Sequence, residues 1–109
     1  MTAALFLLQR ASAAFLALAV MVHLATILYA IRGGLTAGEI LARTHGNQGY
    51  LVFYCLFVVA VAVHAPIGLR NVLREWLGWR GRFCDGALVL FALALLVLGI
   101  TAVTALYVA

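Results

Sequence analysis

Residues 50–76, YLVFYCLFVVAVAVHAPIGLRNVLREW, decide how this chain folds. From Tyr50 to Leu69 the run is apolar, broken by His64 and Pro66, and it then turns abruptly to arginine, asparagine and glutamate. About 20 such residues wound as a helix cover the roughly 30 Å of a bilayer's hydrocarbon. Two further runs have the same character: residues 11–31, interrupted by His23, and residues 86–108, with nothing ionisable. Backbone groups in lipid must pair within their own segment, so three transmembrane helices are expected over 11–31, 50–69 and 86–108, forming one all-α domain across residues 1–109.

Composition agrees. The chain has 109 residues, 68% of them apolar, and a mean hydropathy of +1.20, far above the range of soluble domains. All seven cations are arginines, and the net charge of +4 bears on orientation and on anionic lipid or cofactor groups. No basic stripe interleaved with aromatics points to nucleic acid. The opening run, MTAALFLLQRASA, has no cation before it and its apolar character resumes at once, so the N-terminus reads as mature. Cys55 and Cys84 form no C-x-x-C or C-x-x-C-H element, lie toward opposite faces in this topology, and read as apolar fillers.

Arginine distribution sets the expected orientation. Arg10 precedes the first span and Arg70, Arg74, Arg80 and Arg82 crowd the link between the second and third, against Arg32 and Arg43 on the other side. By the positive-inside rule the N-terminus and second link are cytoplasmic. The first link, RGGLTAGEILARTHGNQGY, offers Thr36 and Glu39 at capping-box spacing, predicting a short surface helix closed by His45-Gly46-Asn47, with His45 solvated. Tyr50, Tyr54, Trp76, Trp79 and Tyr107 fall near span ends, where aromatic rings favour the interface. In the third span Gly86, Ala92, Gly99 and Ala102 are small enough to let another helix approach closely.

The chemistry-bearing residues are His23 and His64, because ionisable groups within a span are costly. Neutral imidazole is an axial ligand for haem iron, and two from different helices make a six-coordinate centre suited to electron transfer. Gly68, one turn past His64, leaves room for a flat macrocycle, and Arg70 supplies a cation for its propionates. Pro66 removes a backbone donor near the ligand and is expected to bend the helix.

The pattern His64, Gly68, Arg70, Glu75, Trp76 resembles the second helix of the cytochrome b membrane anchor subunits of succinate:quinone oxidoreductases, the succinate dehydrogenase and fumarate reductase family. The stretch QRASA, residues 9–13, is similar to that family's opening element, with Arg10 and Ser12 in the matching places; Gln9 stands for a frequent His and Ala13 for a frequent Gly. The specific motifs occupy residues 9–13 and 64–76, while the third span matches in length alone.

The resemblance implies haem b ligated by His64, quinone-site roles for Arg10, Ser12, Glu75 and Trp76, and residence in the inner (cytoplasmic) membrane. It also implies three partners: a second anchor subunit, an iron–sulfur subunit and a flavoprotein on the cytoplasmic side. This chain would then pass electrons between the iron–sulfur subunit and quinone, with no dicarboxylate chemistry of its own.

His23 and His64 lie at different depths, so one haem cannot take both. Either His23 is structural and one haem is shared between His64 and a partner, or His23 ligates a second, distal haem; the di-haem arrangement is the one expected. Either way, a partner subunit or a second copy must complete a bis-histidine site. The competing classes are a haem-free anchor, another quinone-linked cytochrome b, and a small transporter, against which stands the lack of a carboxylate within any span.

Overall fold

The computed structural model describes residues 2–109 and contains four helices: α1 (Ala3–Gly33), α2 (Ala37–Thr44), α3 (Gln48–Trp76) and α4 (Arg82–Val108). α1, α3 and α4 are each long and apolar enough to cross a membrane. Each is longer than the span read from hydropathy, because a helix does not stop where its side chains turn polar. Thr2 caps α1, accepting from the Leu5 N–H, so Arg10 lies inside the first helix rather than ahead of it. α3 likewise runs on through Arg70 and Glu75 to Trp76. The molecule is 48 Å long, which leaves roughly 9 Å beyond the hydrocarbon at each end.

α3 is the central helix, with α1 and α4 packed against it. The buried side chains mark these seams: Ser12 and Ala19 on α1, Ala62, Pro66 and Ile67 on α3, Cys84, Leu88 and Val103 on α4. Elsewhere the helices are apolar outward, with Leu18 at 74% and Leu98 at 70% exposure. In water such faces would drive aggregation, whereas in lipid they need no cover. α3 continues unbroken through Pro66, which gives no N–H to the carbonyl of Ala62 one turn earlier.

Of the four small residues expected to admit a neighbour in the third span, Gly99 does so most closely: a methyl group there would stand 2.5 Å from Val58 Cγ1. Gly86 faces open space, and Ala102 is exposed. Cys84 is buried and Cys55 half-buried, and both are free thiols.

The expected capping box forms. Thr36 Oγ1 accepts from the Glu39 N–H at 3.2 Å and donates to Glu39 Oε1 at 2.7 Å, starting α2. The same carboxylate lies over Gly34, while Arg43 Nη2 donates to the Gly34 carbonyl at 2.6 Å. Gly34 adopts φ 104°, ψ 148°, backbone space nearly closed to other residues, and a Cβ there would collide with Glu39. Gly34→Ala is therefore expected to lower stability by about 1–3 kcal/mol. Thermal unfolding of the purified protein measures this, and an unchanged midpoint would refute the reading.

α2 ends against the far end of α4. Thr44 Oγ1 donates to the Leu106 carbonyl at 3.0 Å and the Gly46 N–H to the Tyr107 carbonyl at 3.0 Å, satisfying carbonyls that α4 cannot pair internally. His45 is exposed in this turn, as expected.

Candidate functional site

Helical spacing on α1 puts Leu5, Gln9, Ser12, Leu16, Ala19 and His23 on its less exposed face, repeating every three or four residues. Both spanning histidines belong to the seam between this face and α3. His23 reaches Tyr54 on α3, and His64, on α3, reaches Ser12 on α1. Ser12 and His23 are eleven positions apart, so the two imidazoles are separated by about 16 Å along the bundle. Among the described residues no three His, Cys, Asp or Glu side chains gather in one place, so each imidazole offers a single ligand.

The contacts around His64 bear on its tautomer. Ser12 Oγ donates to the Gln9 carbonyl at 3.1 Å, a group that only accepts. With its own hydrogen there, Ser12 Oγ accepts from His64 Nδ1, which lies 3.3 Å away, and the Nε2 lone pair is free; with the hydroxyl turned to the ring, Nδ1 accepts and Nε2 carries the hydrogen. Nε2 has no hydrogen-bonding partner among the described residues.

Gly68, one turn past His64, faces α1 rather than open space: a Cβ there would stand 3.3 Å from Gln9 Nε2. Its missing side chain lets α1 come close enough for Ser12 to meet the imidazole. Gln9 Oε1 is buried in the same seam without a donor.

His23 is less constrained. Its Nδ1 is 3.0 Å from the Tyr54 hydroxyl, and the rings of Tyr54 and Phe57 stand with centroids 5.6 and 5.4 Å from the imidazole. The Tyr54 hydroxyl has no second partner among the described residues, so either group can donate. When the phenol donates, Nε2 keeps the hydrogen; when the imidazole donates, Nε2 is free. Tyr54 serves this contact, and the Tyr50 hydroxyl donates to the Val103 carbonyl of α4 at 3.4 Å.

The four residues expected at a quinone site are not gathered by this chain. Ser12 is buried and engaged with His64. Arg10 is exposed with its guanidinium carbon 5.6 Å from the Phe6 ring centroid, two positions from Ser12. Glu75 and Trp76 are exposed, Trp76 at 81%, and by helix rise Glu75 lies about 16 Å beyond His64.

Arg70 turns toward α4 rather than toward the α1 seam. Its Nε is 3.3 Å from Asp85 Oδ1, which Arg74 Nη2 also approaches at 3.9 Å. Asp85, which the sequence placed outside the third span, lies in the first turn of α4, and an acid there after four arginines is a visible signal for such a pair.

Comparison with protein-family profiles, with curated proteins and with solved structures gives no match for this chain.

Proposed function

We propose that this chain is a haem-carrying helical membrane subunit that supplies one imidazole to each haem it shares with a partner. More particularly, we propose the haem b membrane anchor of a succinate:quinone oxidoreductase-type complex, with its N-terminus and α3–α4 link on the cytoplasmic side of the inner membrane. The observation that carries this reading is the Gln9–Ser12–His64 chain. A protein-bound haem iron needs an imidazole whose lone pair is exposed and whose other nitrogen is held by a hydrogen-bond acceptor. With its hydroxyl on the Gln9 carbonyl, Ser12 provides that acceptor, and His64 then fits haem iron through Nε2.

Haem, when bound, supplies a one-electron carrier between an iron–sulfur subunit and membrane quinone. The chain's own part is to hold His64 at one depth, half-buried in the α1–α3 seam with Ser12 at its Nδ1. A second imidazole from the partner anchor, or from a second copy, completes the coordination. The sequence resemblance names the rest of the assembly: an iron–sulfur subunit, a flavoprotein and a quinone reached at the cytoplasmic edge. Within this chain Arg10, Glu75 and Trp76 remain exposed there, and in this reading the partner's helices close the pocket around them.

The His23–Tyr54 contact supports two versions. With the imidazole donating to Tyr54, His23 Nε2 binds a distal haem and the complex holds two; with the phenol donating, His23 is structural and the complex holds one. The test is a dithionite-reduced minus oxidised spectrum of the purified complex, with haem quantified per complex. A b-type α-band is expected, and its absence leaves a haem-free anchor. His23→Ala is expected to halve the haem content, whereas unchanged content would leave His23 a purely structural role.

A further inference from the structure

We propose that the groove between α1, α3 and α4, together with the arginine-lined cavity at its end, binds one anionic glycerophospholipid. An acyl chain lies along the groove and the phosphate sits on Arg70 and Arg74.

The groove is open along one side and has a volume of about 410 Å³, within the usual range of small-ligand sites; its walls are Leu5 and Leu8 of α1, Val63 and Pro66 of α3, and Leu88 and Ala92 of α4. Its polar end is Arg70 with Asp85. Arg70 is also a wall of a second cavity of about 230 Å³, formed with Asn71, Arg74, Glu75 and Arg80. The apolar trough and the arginine-lined cavity thus share Arg70 as a wall. Side by side they suit one acyl chain and a compact head, with the second acyl chain of the lipid left in the bilayer.

The charges specify the head. Arg70 Nη1 and Arg74 Nε are buried and have no hydrogen-bonding partner among the described residues. Asp85 is divided between the two guanidiniums, and one of its contacts is long at 3.9 Å. Three arginines face two carboxylates, Glu75 and Asp85, which leaves a positive excess. Unpaired buried guanidinium N–H groups are costly, and a phosphate offers several acceptor oxygens to the Arg fork. A neutral quinone head brings no charge to offset the excess. Arg70 is turned to Asp85 on α4, away from the α1 side on which Ser12 meets His64.

The test uses the full chain, with its partners where they co-purify, in nanodiscs of phosphatidylcholine with or without phosphatidylglycerol. Native mass spectrometry then reads the lipid retained. One phosphatidylglycerol is expected to stay bound in preference to phosphatidylcholine. The Arg70→Gln/Arg74→Gln pair is expected to weaken retention about tenfold or more. Ala92→Phe, which fills the trough and leaves both arginines in place, is expected to do the same, with helix content checked by circular dichroism.

Equal retention of the two lipids, or retention unchanged by the arginine pair, overturns the proposal. Retention lost in the arginine pair but kept in Ala92→Phe removes the acyl groove from it, and displacement of the lipid by a short-chain ubiquinone makes quinone the occupant instead.

Discussion

His64→Ala is expected to remove the haem nearer the α1 N-terminus, seen as loss of its α-band in the reduced-minus-oxidised spectrum. No other side chain in this chain can take the place of the imidazole, because His23 is about 16 Å away along the helices. The companion variant is Ser12→Ala. It keeps the ligand but removes the acceptor at Nδ1, freeing the ring to rotate and to exchange tautomers. Loss of such an orienting partner costs roughly 10–100-fold in metal affinity, so haem should be retained more weakly and its midpoint potential should move. Ser12→Thr, which keeps the hydroxyl, should restore both. Full haem content and an unchanged potential in His64→Ala would end the ligand assignment. An unchanged potential in Ser12→Ala would reduce Ser12 to a packing residue.

The second large effect is expected at the α3–α4 seam. In Gly99→Ala the new methyl would stand 2.5 Å from Val58 Cγ1, 2.8 Å from Cγ2 and 3.2 Å from Cβ. Valine is stiff about χ1, and Cβ moves only with the backbone, so rotation cannot relieve all three contacts. α4 must step back from α3, and overpacking of this kind costs about 1–3 kcal/mol. Denaturant titration of the purified protein should show that loss. Val58→Ala in the same chain should recover most of it, because it removes both γ-carbons. A single variant as stable as the parent, or a double variant no better than the single, would show that the helices do not meet at this point.

The three spans were legible because lipid imposes a composition that nothing else requires. The α2 cap was legible because Thr36 and Glu39 carry its mechanism locally. The helix ends were not: Thr2 and Trp76 lie outside any hydropathy window, and a helix continues through Arg70 and Glu75 as readily as through leucine. His23 and His64 could be singled out as unusual, but their partners could not. Ser12 has to be placed across a seam 52 positions away from His64, and Tyr54 31 positions from His23. Sequence spacing gives a face, not which neighbouring helix that face meets. For the same reason the contacts of Gly68 with Gln9 and of Arg70 with Asp85 were not legible.

The hydrogen bonds from Thr44 and Gly46 to the last turn of α4 have a mechanical consequence. α4 is tethered to α3 twice, by the Leu77–Gly81 link at one end and by this staple at the other. α1 has no such backbone tie at its first turn among the described residues: beyond the chain connection at Gly34 it is held to α3 by side-chain packing and by the Ser12–His64 and His23–Tyr54 contacts. Changing the α1–α3 seam therefore leaves both ties between α3 and α4 in place.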